Sequence, residues 1–76
     1  MTIAFVLVNT DAGVENDVVT KVPKIEGVVE AHVTYGTYDV FAKVEANTPQ
    51  KVKEIVFSKI RTINEVRSTL TLVVAD

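Results

Sequence analysis

Apolar runs separated by polar breaks predict four β-strands. Residues 3–8 are apolar without interruption, which is typical of a strand with both faces covered. Residues 28–35 and residues 38–45 alternate apolar with polar side chains, and the polar face of the first of these segments favours an edge strand. A last strand begins at residue 66 or 67 and continues to residue 75.

Valine at helical spacing predicts a first helix over about residues 13–22. We expect Thr10 or Asp11 to cap its N-terminus, because a short side-chain oxygen can accept from the free backbone N–H groups there. Pro23 lacks a backbone donor, so it should end or kink this helix.

A second helix begins after Thr48, a good N-cap residue, with Pro49 in its first turn. It ends near residues 64–65. Charged side chains such as Lys51 and Arg61 would face water. The opposite face is one apolar stripe, formed by Val52, Ile55, Val56, Ile60 and Ile63.

The element order β-α-β-β-α-β predicts an α+β fold of the ferredoxin-like type. Right-handed crossovers place both helices on one face of a four-stranded antiparallel sheet, whose central strands are the first and the third. The other face has no cover within the chain, and an uncovered apolar face usually marks an interface, so we expect a face-to-face homodimer. If the bulky residues of the first strand face the helices, the small ones lie bare on the dimer face: Ala4, Val6 and Val8.

Composition narrows the class of protein. The 76 residues (residues 1–76) are expected to form one domain with a thin core, although 47% of them are hydrophobic. A net charge of −2, with both signs interspersed, argues against direct binding of nucleic acid. The chain has no cysteine and one histidine, so we expect neither a metal nor a cofactor. The first apolar run is too short for a signal peptide or a membrane span, so we expect a cytoplasmic protein without membrane contact.

The break between the second and third strands carries more chemistry than a turn requires. Residues 35–39 read Tyr-Gly-Thr-Tyr-Asp. Gly36 allows a positive φ in the turn, and Asp39 places a carboxylate at the start of a central strand. The same residues could serve the turn alone, with Asp39 satisfying nearby backbone amides and Tyr38 acting as an interface aromatic.

Three stretches resemble a known family. Residues 35–40 are similar to the Gly-x-Tyr-Asp signature of the C-terminal effector domain of the Lrp/AsnC (feast/famine) transcriptional regulators. Residues 5–10 resemble the first strand of that domain, and residues 66–73, with a Ser/Thr-Thr-x-Thr pattern, resemble its last strand. The resemblance covers essentially the whole chain.

The resemblance implies oligomers and small effectors. Family members usually carry an N-terminal helix-turn-helix domain, whereas this chain starts at the first strand of the effector domain and is similar to the stand-alone regulation of amino acid metabolism (RAM) module. The family implies dimers that assemble into rings or discs, commonly octamers, with an amino acid effector bound at the dimer–dimer contacts. Such a module would modulate full-length relatives or amino acid metabolism without reading DNA itself.

By the resemblance, six residues contribute to the effector site: Gly36, Tyr38 and Asp39 on the effector loop, and Ser68, Thr69 and Thr71 on the last strand. Chemically, Asp39 could accept from the ammonium of an amino acid, and backbone N–H groups around Gly36 could approach its carboxylate. The hydroxyl groups could donate or accept, although alternating threonine is also ordinary strand composition.

Two other functions stay open. The chain could be a purely architectural module that co-assembles with full-length relatives without a ligand. It could also be a small cofactor-free enzyme of ferredoxin-like fold, with His32 on the edge strand as a weak candidate. The sequence has no Gly-rich phosphate loop, no cysteine nucleophile and no Gly-x-Ser-x-Gly motif, so a function other than catalysis is favoured.

Overall fold

Both helices lie on one face of a four-stranded antiparallel sheet, in a computed structural model that describes residues 1–75. The elements are β1 (Thr2–Thr10), α1 (Glu15–Lys21), β2 (Val28–Val33), β3 (Val40–Ala46), α2 (Pro49–Ile55) and β4 (Val66–Val73). The spatial order β2-β3-β1-β4 places β1 and β3 in the centre. The predicted ferredoxin-like fold is therefore confirmed. No helix within residues 1–75 is long and apolar enough to cross a membrane.

The start of α1 differs from the prediction. Its N-cap residue is Val14, and no side chain accepts from the first-turn N–H groups, so neither Thr10 nor Asp11 is the cap. The Thr10 hydroxyl instead donates to the carbonyl oxygen of Asp11, 2.9 Å away. Two acidic residues in the first turn still match the positive end of the helix dipole.

The end of α1 confirms the prediction for Pro23. The α-helix stops at Lys21, and the next three residues, Val22–Lys24, continue as a 3₁₀ turn. Proline has no N–H to donate to the preceding turn, so the chain leaves the α-helical pattern at this point.

The start of α2 is as predicted, but its end is not. The backbone N–H of Lys51 donates to Thr48 Oγ1 at 3.1 Å, and Pro49 occupies the first turn. The helix then widens into a π-helical turn, Val56–Ile60, which the apolar spacing did not predict. The wider turn leaves Ile60 fully buried, so the apolar stripe still reaches the core.

Alternate residues of the central strands form the floor of the core. They are Ala4, Val6 and Val8 of β1 and Val40, Ala42 and Val44 of β3, all fully buried. The helical layer completes the core with Val18, Val22, Val52, Ile55, Val56 and Ile60. Small and β-branched side chains dominate both layers, so the helices can lie close to the sheet.

The prediction for the two faces of β1 was wrong. The small residues, Val6 among them, lie beneath the helices, whereas Phe5 and Leu7 lie half-buried on the open face. β1 and β3 present only alanine and valine to the close helical layer, whereas the bulky residues of β1 lie on the side that no element of residues 1–75 covers. A charge at Val6 would therefore disrupt the core and not an interface.

The open face of the sheet is apolar on β1 and β4. Cross-strand pairing places Leu7 between Phe41 and Leu70, and Phe5 beside Leu72. The rings of Phe5 and Phe41 stack with centroids 5.5 Å apart, while Leu70 and Leu72 are 43% and 51% exposed. These five residues are called the open-face cluster. On the same face, the edge strand β2 contributes a glutamate and a histidine.

Gly27 closes the connection into β2 where a helix approaches the sheet. Its φ is +99°, and a Cβ added there would lie 2.7 Å from Ile55 Cδ1 and 3.3 Å from the carbonyl oxygen of Glu45. The carbonyl oxygen of Gly27 also accepts from the backbone N–H of Glu45 at 2.8 Å. The positive φ therefore favours glycine, and an added Cβ would also have to displace the end of the Ile55 side chain.

An ion pair joins the end of α1 to the loop before β4. Lys21 Nζ lies 3.0 Å from Glu65 Oε1, and the Glu65 carbonyl oxygen accepts from the backbone N–H of Asp11 at 2.9 Å. The hydrogen bond from Lys21, together with a backbone hydrogen bond, holds the pKa of Glu65 below its usual 4.5.

Replacing Gly27 by alanine should lower the free energy of unfolding by about 2–4 kcal/mol, because left-handed strain adds to overpacking against Ile55. Gly13→Ala is the matched control. Gly13 has a φ of +83°, but no atom lies within 4 Å of an added Cβ. Backbone strain alone should therefore lower the free energy of unfolding of this variant by about 1–2 kcal/mol. Urea unfolding at one fixed protein concentration measures both, and equal losses would show that space at Gly27 is not limiting.

Stability should fall in acid partly through Glu65. Because its pKa is lowered in the folded chain, the contribution is complete above the unfolded pKa and is lost as pH falls through the folded one. In Glu65→Gln, unfolding free energy should therefore vary less steeply than in wild type between about pH 5 and pH 3. Glu26→Gln is the control, because it removes an exposed carboxylate that makes no ion pair within residues 1–75. If its unfolding free energy depends on pH as weakly as that of Glu65→Gln, the acid sensitivity does not come from Glu65.

Candidate functional site

The loop between β2 and β3 holds Asp39 at one end of the sheet. β2 ends at Val33 and β3 begins at Val40, so the loop is longer than the turn predicted from the sequence. The Thr34 hydroxyl donates to the carbonyl oxygen of Tyr38 at 2.7 Å, and the Thr34 N–H donates to that of Asp39 at 2.9 Å. These bonds tie the two ends of the loop together.

The end of β1 fixes the Asp39 carboxylate. The Asp39 N–H donates to the carbonyl oxygen of Val8, and Asp39 Oδ2 accepts from the N–H of Thr10, both at 2.9 Å. Thr10 is only 7% exposed, so the carboxylate satisfies an N–H group that water hardly reaches. The side chain therefore bonds to a neighbouring strand and not to its own hairpin. Within residues 1–75, Asp39 Oδ1 receives no hydrogen bond.

A polar cleft of about 520 Å³ opens beside this carboxylate, and we call it the Asp39 cleft. All of its lining residues have polar side chains: Asn9, Thr10, Thr37, Asp39, Arg67 and Ser68. Its volume lies within the range of about 300–1,000 Å³ that is typical of small-molecule sites.

Two contacts organise the rim of the cleft. Asn9 and Ser68 are cross-strand partners, and Asn9 Nδ2 donates to Ser68 Oγ at 3.3 Å. Arg67 Nε lies 3.8 Å from Asp11 Oδ1, with side chains that are 70% and 59% exposed. An exposed pair of this kind contributes about 0–1 kcal/mol, so Arg67 is weakly held.

The structure brings some of the predicted site residues together and separates others. Asp39 and Ser68 line the same cleft. Gly36 lines an adjoining depression that shares Asp39 as a wall. Thr69 and Thr71 lie on the helix side of β4, because they are cross-strand partners of buried β1 residues.

Tyr38 and Gly36 shape the loop. Tyr38 is half-buried, and its carbonyl oxygen accepts a hydrogen bond from the Thr34 hydroxyl. Gly36 has a φ of +135°, and a Cβ added there would meet no atom within 4 Å. Its backbone conformation alone therefore requires glycine.

Four lining residues were not assigned to the site from the sequence: Asn9, Thr10, Thr37 and Arg67. The predicted strand order could have indicated that these residues belong to the site. In an antiparallel sheet with β1 in the centre, the last residues of β1 lie between the first residues of β3 and those of β4.

A second groove, between α2 and the segment before β2, offers no convergent chemistry. It is lined by Lys24, Ile25, Glu26, Lys51, Glu54, Ile55 and Lys59. Lys51 and Glu54 pair with each other at 3.4 Å, on side chains that are at least half exposed. Within residues 1–75, no group of three His, Asp or Glu side chains could hold a metal ion.

Comparison with known proteins identifies the family of the chain. The family model described as the Lrp/AsnC ligand binding domain matches residues 3–76. An uncharacterized HTH-type transcriptional regulator of Pyrococcus furiosus is 39% identical over 75 residues, which cover 95% of this chain and 50% of the regulator. The chain spans about half the length of such curated relatives.

Solved structures agree with the sequence match. The crystal structure of FFRP-DM1 has a TM-score of 0.92 and 37% identity, covering 99% of this chain and 100% of that one. The structure of Escherichia coli AsnC has a TM-score of 0.90 and 28% identity, covering 99% of this chain and 51% of that one. The chain therefore belongs to the Lrp/AsnC family, and its fold is that of the family's ligand-binding domain.

Proposed function

We propose that this chain is an effector-sensing and assembly module, which binds an amino acid in the Asp39 cleft and dimerises through the open face of its sheet. The observation that carries the proposal is the fixed Asp39 carboxylate. The backbone N–H of Thr10 holds one of its oxygens at 2.9 Å, the other receives no hydrogen bond within residues 1–75, and Asp39 lines a polar cleft. A carboxylate held in this way can accept a charge-assisted bond from an ammonium group without first being ordered.

The family supports a ligand of this kind. The matching family model is that of a ligand-binding domain, and the curated relatives are transcriptional regulators. A Neisseria meningitidis regulator of the same fold is a complex with L-methionine, with a TM-score of 0.84 and 16% identity, covering 99% of this chain and 50% of that one. At that identity the likeness supports the fold alone, so an amino acid remains our proposal for this chain.

The open-face cluster supports dimerisation. Its aromatic and leucine side chains lie on two adjacent strands, and no element of residues 1–75 covers them. Covering the exposed half of these side chains would remove further apolar surface from water, which favours association. A second copy placed face to face would cover the cluster with its own.

Larger assemblies follow from the same proposal. Dimers of this module would join further, into a ring or disc such as an octamer, and could also join full-length relatives. The net charge of −2 supports the second route over direct DNA reading, because DNA binding relies on a basic face. The effector would then act by changing how copies assemble.

The open face also favours an alternative, a purely architectural module. An uncovered apolar face needs a partner whether or not a ligand binds. Titration calorimetry of the pure protein against pooled amino acids separates the two functions. Heat of binding supports the sensor, and its absence supports the scaffold.

The charge of Asp39 should matter for binding more than for folding. Asp39→Asn keeps an oxygen that can accept from Thr10, so the unfolding free energy should change by less than about 1 kcal/mol. Loss of the charge should weaken the binding of an amino acid by about 30- to 150-fold, or roughly 2–3 kcal/mol. Thermal shift identifies the amino acid, calorimetry measures its Kd, and circular dichroism checks the fold.

Asp17→Asn is the control for this prediction, since Asp17 is an exposed carboxylate in the first turn of α1. It should bind the amino acid as wild type does. If Asp39→Asn also binds with the wild-type Kd, Asp39 is not the ammonium partner.

A charge in the open-face cluster should break the dimer and leave the chain folded. Leu70 is 43% exposed in the single chain, so Leu70→Glu adds no buried charge to the monomer but would place one in the interface. Phe57→Glu is the control, because Phe57 is 57% exposed on the helical layer. Sedimentation equilibrium should show a folded monomer for Leu70→Glu and a dimer for Phe57→Glu. Val6→Asp should unfold, because Val6 lies in the core. A Leu70→Glu dimer as stable as wild type would contradict this interface.

A further inference from the structure

We infer that Arg67 binds the ligand carboxylate in the Asp39 cleft and that the cleft selects amino acids with polar side chains. This inference rests on the proposed function and names the class of ligand. Asp39 and Arg67 are the charged members of the lining set, and they have opposite signs. An amino acid zwitterion carries the complementary pair of charges on two groups attached to the same carbon atom.

The surroundings of Gly36 favour Arg67 as the carboxylate partner. Gly36 lines the adjoining depression, and the lining of that depression also includes Glu15 and Asp39. A ligand carboxylate placed there would meet like charges. In the Asp39 cleft it would meet a guanidinium, which can bind a carboxylate through two parallel N–H···O bonds.

Arg67 is free to exchange its present partner. Its contact with Asp11 is a single approach of Nε to Oδ1 at 3.8 Å between exposed side chains. Breaking such a pair costs about 0–1 kcal/mol, whereas a hydrogen bond to a charged group contributes roughly 1.5–3 kcal/mol. A carboxylate in the cleft would therefore displace Asp11 or share the guanidinium with it.

The rest of the lining sets the selectivity. Asn9, Thr37 and Ser68 offer an amide and two hydroxyl groups, and none of the lining residues presents a large apolar side chain. An apolar ligand side chain would gain little burial there, and it would displace water from these polar groups without replacing the hydrogen bonds of that water. A site built to hydrogen-bond a group rejects the analogue that lacks it more strongly than an apolar pocket rejects an added hydroxyl.

Selectivity is tested with pairs of similar shape: threonine against valine, asparagine against leucine, and glutamine against methionine. Calorimetry on the wild-type chain should show the polar member of at least one pair binding about tenfold or more tightly than its apolar counterpart. Equal or reversed affinities in every pair would overturn the inferred selectivity while leaving amino acid binding intact. If no amino acid binds at all, the proposed function fails and this inference fails with it.

The role of Arg67 is tested with Arg67→Gln and with the carboxamide form of the best amino acid. The variant should bind the amino acid about 10- to 100-fold more weakly than wild type. It should bind the carboxamide, which lacks the negative charge, as wild type does. Arg61→Gln is the matched control, because Arg61 lies over the exposed Phe57 ring and outside the cleft. Equal losses for the amino acid and its carboxamide, or equal losses in the two variants, would overturn the role of Arg67.

Discussion

A single helical layer over a sheet that is apolar on both faces is the constraint on which the rest of this structure depends. β1 places alanine and valine beneath the helices and phenylalanine and leucine on the opposite side. Residues 1–75 contain two short helices, and both are used to cover the first of these faces. No element of residues 1–75 covers the second face, so in the proposed dimer the folding of one copy and the association of copies would depend on the same strand.

The same strand also positions the candidate site. Side chains of β1 alternate between faces, so Asn9 lies on the open face two residues after Leu7. Its cross-strand partner Ser68 lies beside Leu70, the partner of Leu7, on the same face. The Asp39 cleft therefore adjoins the open-face cluster. A second copy and a ligand would meet neighbouring parts of one surface. A differential affinity of the ligand for the assembled and separate states would be enough to couple the two events.

Elements with strong local signals were predicted well from the sequence. The uninterrupted apolar run identified a central strand, and the Thr48-Pro49 pair identified the start of α2. Two features required tertiary information. The apolar pattern did not show which face of β1 lies beneath the helices, and the apolar spacing of α2 fits a regular helix and did not indicate the π-helical turn that ends at the buried Ile60. Likewise, Arg67 joined the site through strand pairing between distant segments, which no local motif around Asp39 could indicate.

Small-angle X-ray scattering of the wild-type chain at micromolar concentration tests the central claim, that the open face is an interface, most directly. The single chain has a mass of 8.3 kDa and a Cα radius of gyration of 11.3 Å. The account predicts a particle of at least twice that mass with a radius clearly above that of the single chain. A folded particle of 8.3 kDa with a radius close to 11.3 Å would contradict it.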